Sequence, residues 1–211
     1  MAPQHFLMAL AVPVIWGMGI VFAKAALDYF PPILLIAFRF AVTAIALVWF
    51  VKPPWPLMVR IALVALVAVV IQYSLTFTGL KHLDASVTAL VVQLEVPILI
   101  LLGAIFLGER PSLRKDSGIA ATFLGVLLIA GDPKLEGAYF PLALLLAGVS
   151  TWAVGQIMVR QLTGVGGFTL IAWVAVLATP QLFFASWALE DNQWQLIRDA
   201  DWVVWGTVVY L

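Results

Sequence analysis

Apolar residues run in blocks of about twenty, separated by short clusters of proline, glycine and charge, and the blocks recur about every 25 to 30 residues. A helix of that length crosses roughly 30 Å of hydrocarbon. The pattern predicts eight runs: Phe6–Leu27, Ile33–Val51, Leu57–Leu80, Ala85–Leu107, Ser117–Gly131, Tyr139–Gln161, Phe168–Leu189 and one from Trp202 that is cut off at Leu211. Pro31-Pro32, Pro53-Pro54-Trp55-Pro56, Pro111-Ser112 and Asp132-Pro133 mark boundaries between them. The first run is read as a retained span and not a secretory signal, because no Lys or Arg precedes it and similar segments follow.

Polar residues inside the runs carry the functional information. The fourth run holds a carboxylate and a proline, Glu95 and Pro97, and an acid at membrane depth is a functional hypothesis by default. An intrahelical proline also frees backbone groups that protein, water or ligand must satisfy. On the third run Gln72, Thr76 and Gly79 follow i, i+4, i+7 spacing beside Tyr73, which predicts a polar stripe facing something other than lipid. On the fourth, Ser86, Gln93 and Pro97 share a face, while Glu95 lies about 200° from Gln93, so the two cannot both point into one cavity. Gln156 is the remaining amide at depth. Gly118, Ala121 or Thr122, and Gly125 on the fifth run are read as a small-residue stripe for close helix packing.

Trp16 precedes Lys24 by eight residues in the first run, and Trp152 precedes Arg160 by eight in the sixth. The offset encloses five spans, and an odd number of spans per repeat makes the second copy enter from the opposite side. That arithmetic predicts two inverted five-span repeats. The first would occupy residues 1–132 and the second, incomplete, residues 139–211, with two further spans expected beyond Leu211.

Composition narrows the classes. The chain is 64% hydrophobic and 10% charged, against roughly 25% charged in a typical soluble domain, so it reads as an integral membrane protein. Lys plus Arg and Asp plus Glu number 11 each, which leaves no basic face for nucleic acid, and no cysteine is present. Six basic residues (Lys52, Arg60, Arg110, Arg114, Lys115, Arg160) fall on one side and four (Lys24, Lys81, Lys134, Arg198) on the other, which favours a cytoplasmic amino terminus.

The residues Trp16-Gly17, Phe38-Arg39-Phe40, Glu95-x-Pro97, Leu107-Gly108-Glu109-Arg110 and Gly125-Val126-Leu127-Leu128 resemble the repeat unit of EamA-type drug/metabolite transporters. The resemblance implies an all-α integral membrane fold of ten spans in two inverted five-helix repeats. It also implies secondary transport by alternating access, most like bacterial amino-acid exporters. It further places the chain in a bacterial-type inner membrane, with the bilayer and a small-molecule substrate as partners and no nucleic acid. A monomer is expected, with a dimer as the alternative. Other readings are a drug or nucleoside/sugar transporter of the same fold, an intramembrane enzyme acting on lipid intermediates, and a structural membrane subunit.

Trp16, Gln72, Tyr73, Thr76, Gln93, Trp152 and Gln156 are therefore the candidate cavity residues. The indoles offer flat apolar walls with one donor each, and the amides and hydroxyls suit a zwitterion. For Glu95 three roles stay open: carrying a proton, binding a substrate ammonium, or pairing with Arg39. Arg39 and Lys24 are expected to snorkel toward polar surroundings. Gly17, Gly19, Pro97 and Gly155 are the candidate bending points, and Glu109 with Arg110 the anchors of a cytoplasmic turn. No nucleophile–base pair, metal-ligand spacing or phosphate loop occurs, so no catalytic residue, metal or cofactor is expected.

Overall fold

The computed structural model describes residues 3–108, 112–130 and 137–211, and among these the regular structure is helical. Glu109, Arg110, Asp132 and Lys134 lie outside the described residues. The first run forms α1 (Pro3–Ala26), and the second forms α2 (Pro32–Leu47) with a closing 3₁₀ turn. The third run is one helical column, α3 (Met58–Ala65) and α4 (Gln72–His82), joined by a π-helical turn over Leu66–Ile71. The fourth is split into α5 (Ala85–Val92) and α6 (Glu95–Leu107). Then come α7 (Leu113–Ala130), α8 (Tyr139–Arg160), α9 (Gly167–Leu189), a short α10 (Gln193–Asp199) and α11 (Trp202–Tyr210). Among the described residues five helical stretches are long and apolar enough to span a membrane: Pro32–Phe50, Trp55–His82, Ala85–Phe106, Tyr139–Arg160 and Gly167–Leu189.

The break in the fourth run follows from Pro97. Its ring has no N–H for the Gln93 carbonyl and would collide with it in a regular helix, so the α-helical ladder is interrupted three and four residues upstream. There the backbone tightens instead, with Gln93 N–H donating to the Leu90 carbonyl at 3.2 Å and Leu94 N–H to the Val91 carbonyl at 3.0 Å.

Two close helix contacts organise the bundle. The helix α2 lies along α9, and Leu35, Ile36 and Ala37 of α2 and Ala172, Ala175, Ala178 and Leu182 of α9 are all fully buried. The second contact sets α4 and the π turn against α8. A side chain on Gly79 would come within 2.8 Å of Leu145, one on Gly148 would strike Thr76, and one on Gly155 would lie 2.8 Å from the Ala68 Cα. These glycines let the two backbones approach, as small residues do in membrane helix pairs. The small stripe expected to pack on the fifth run does not: Gly118 and Gly125 face open space, and α7 seats through Ile119 and Val126. Small residues permit close approach, but only a neighbouring helix makes use of it.

Candidate functional site

Between α1, α2, α4, α5, α6, α8 and α11 lies a cavity of about 580 Å³, within the range of small-molecule sites. Val12, Ile15, Trp16, Gly19, Ile20 and Ala23 form the wall given by α1, on the single face that steps of three and four residues create. Gln72, Tyr73, Thr76, Phe77 and Leu80 come from α4. Thr88 and Val92 come from α5, Glu95 from α6, Arg39 from α2 and Trp152 from α8, and Tyr210 and Leu211 line it from the end of α11.

The polar groups in this cavity are under-used by the protein itself. Gln72 and Thr88 are buried, at 4% and 2% exposure, yet Gln72 Oε1 and Thr88 Oγ1 accept and donate nothing among the described residues. Gln72 Nε2 does donate, to Thr76 Oγ1 at 3.2 Å. Buried polar atoms are nearly always paired, so two orphans lining one cavity, from α4 and α5, point to a partner that arrives with ligand or water. The Arg39 guanidinium rests over the Tyr73 ring with 5.3 Å from Cζ to the centroid, a cation–π contact that leaves its N–H edges free. No ion pair joins Arg39 to Glu95, although both line the same cavity.

Of the residues singled out by sequence, Trp16, Gln72, Tyr73, Thr76, Trp152, Arg39 and Glu95 thus meet at one cavity. Gln93 does not. It is exposed on the other side of the fourth span, so of the two residues set about 200° apart it is Glu95 that faces inward. Gln156 is half-buried one turn beyond Trp152 and does not line the cavity. Pro97 marks a real break, whereas α1 runs on through Gly17 and Gly19 and α8 through Gly155. Thr88 was not foreseen. It stands seven residues before Glu95 on the same helix face, and the spacing identifies it once Glu95 is turned inward.

Two charged residues at the span ends do structural work. Lys24 Nζ donates to the Leu80 and Lys81 carbonyls, both at 2.8 Å, and so caps α4 at its negative end. The helix α2 begins after Pro31, which has no side-chain oxygen to cap it. Glu190 supplies the cap from the end of α9: the Ile33 and Leu34 N–H groups donate to its carboxylate at 2.6 and 3.0 Å, and Ser186 Oγ donates at 2.7 Å. Burial holds the Glu190 carboxyl above its ordinary value of 4.5, against the opposing pull of the Ile33 N–H, Ser186, the Leu34 N–H and Lys81.

The model of the EamA-like transporter family matches residues 5–131. A probable amino-acid metabolite efflux pump of Escherichia coli strain K12 is 30% identical over 201 residues, covering 91% of this chain and 67% of that protein. The chain belongs to the EamA-like transporter family. It is accordingly a multi-pass membrane protein of a transporter family, and its apolar helices agree with that. A probable amino-acid metabolite efflux pump of Salmonella typhimurium strain LT2 is 28% identical over 222 residues, covering 100% of this chain and 74% of that protein. This EamA-family chain also shares its fold with a solved crystal structure at a TM-score of 0.65 and 19% identity, over 97% of this chain and 72% of the other.

Proposed function

We infer that the protein exports small metabolites, amino acids foremost, by alternating access through the cavity between α1, α4, α5 and α8. The observation that carries this reading is the gathering of orphaned polar atoms, two indoles and two opposite charges around one small-molecule-sized space. The names of the two efflux pumps support the substrate class.

An inverted-repeat architecture is supported by the way the helices touch. Exchange the first span with the sixth (α1 with α8), the second with the seventh (α2 with α9), and the third with the eighth (α3–α4 with α11). The contact of the third span with α8 then becomes that of α11 with α1, and its contact with α9 becomes that of α11 with α2. The α2–α9 pair maps onto itself. Each of these contacts has an observed counterpart, as a pseudo-two-fold axis requires. In this reading the amino terminus is cytoplasmic, in a bacterial-type inner membrane, and residues 1–132 and 139–211 belong to the two repeats.

The test is flux of labelled amino acids in proteoliposomes, with and without an imposed pH gradient. Saturable flux that falls at least about tenfold in Trp152→Ala and Gln72→Ala is the expected result. Flux of nucleosides, sugars or cationic drugs with none of any amino acid would replace the substrate class. A dependence on the pH gradient that disappears in Glu95→Gln would assign Glu95 the proton.

A further inference from the structure

The cavity holds two opposite charges that do not use each other. Arg39 and Glu95 both line it, yet no hydrogen bond or ion pair with a protein group engages either side chain among the described residues. Unpaired charges away from water are costly, so an arrangement that keeps both unpaired in one cavity is complementary to a molecule with both signs of charge.

The groups around each charge differ in kind. Arg39 is braced by the Tyr73 ring at 5.3 Å and offers a planar fork of donors, the geometry that takes a carboxylate through two parallel bonds. The same cavity also holds acceptors: the Glu95 carboxylate, Gln72 Oε1 and Thr88 Oγ1, the last two being buried atoms without a partner among the described residues. An ammonium carries three donors and no acceptor, so three acceptors around one cavity match its full capacity. Trp16 and Trp152 provide apolar surface for a side chain.

We propose that Arg39 binds the α-carboxylate and Glu95, with Gln72 and Thr88, binds the α-ammonium of a zwitterionic amino acid, so that the site rejects molecules lacking either charge. This rests on the export reading above and adds the rule by which substrates are admitted. An amino acid without its carboxylate would leave the half-buried Arg39 unpaired, and one with a blocked amine would leave Glu95 so.

The experiment is counterflow in proteoliposomes with three probes that share one side chain, phenylalanine, phenethylamine and N-acetylphenylalanine, and the corresponding leucine series. The wild type is expected to carry the amino acid at least about tenfold faster at low concentration than either analogue. Arg39→Gln should lose the amino acid and bring phenethylamine level with it or ahead. Glu95→Gln should do the same for the N-acetyl compound. The wild-type comparison needs no variant to fold. Amino-acid flux matched by either analogue in the wild type would overturn the two-pole assignment while leaving amino-acid export standing. Parallel loss of all three probes in both variants, with protein shown to be folded, would also overturn it. Flux of other metabolites with none of the amino acids would remove the export reading itself and the assignment with it.

Discussion

Gly155 and Gly17 each lie within a turn of a cavity tryptophan in an unbroken helix, but their surroundings are opposite. A side chain at Gly155 would meet Ala68 across the α8 contact, whereas nothing lies within 4 Å of one at Gly17. Gly155→Leu is therefore expected to cost about 1–3 kcal/mol by overpacking, read as a lower thermal-unfolding midpoint in detergent. Gly17→Ala should leave the midpoint unchanged or slightly raised, since Ala is the better helix former. Sequence alone ranked the two glycines together, because the identity of a residue says nothing of which neighbour it faces. The same limit applied to Lys24, whose partners are carbonyls of another span. Glu190 gives a prediction with a defined sign. Its folded-state pKa is raised by burial, so the native chain keeps this proton at a pH where the unfolded chain has released it. Its contribution to stability therefore grows as pH falls from the raised value toward 4.5 and is lost as pH rises. Thermal scans across this window should show the wild type gaining on Glu190→Gln as the solution is acidified. A gain on alkalinisation would contradict the assignment.

At the scale of the element, lengths were readable from the apolar runs and the internal breaks were only partly so. Pro97 announced the interruption of the fourth span, because a missing N–H and a ring collision are local properties of one residue. No residue announced the π turn over Leu66–Ile71, an all-apolar stretch in which a wide turn has no compositional mark. The spacing of Gln72 and Thr76 still held, because both lie after that turn on the regular helix α4. The break above Pro97 puts Glu95 in the first turn of α6, where its side chain enters the cavity. Pro97→Ala should heal the break and leave stability equal or higher, by up to about 3 kcal/mol. Amino-acid flux should fall, because the mended span loses its bending point beside the cavity while Glu95 stays on the face of Thr88. Unchanged flux from a variant of higher unfolding midpoint would mean that transport does not use the break.

At the scale of the whole molecule, the membrane class and the family were legible because hydrophobic periodicity and a few short motifs carry them. The meeting of Arg39, Gln72, Glu95 and Trp152 at one cavity depends on how four helices pack, and sequence could supply only the candidates. Between Gln93 and Glu95, opposite faces of one helix, packing made the choice. The central claim is that this cavity is the path of the transported molecule. The chain contains no cysteine, so Thr88→Cys introduces a single thiol at a buried, unpartnered cavity position. The most direct measurement is the rate at which membrane-impermeant thiol reagents, applied to either face of sealed proteoliposomes, modify that cysteine with and without phenylalanine or leucine. Alternating access through this cavity predicts modification from both faces, slowed severalfold by the amino acid on each. Reaction from neither face, or rates that the amino acids leave untouched while flux continues, would contradict it.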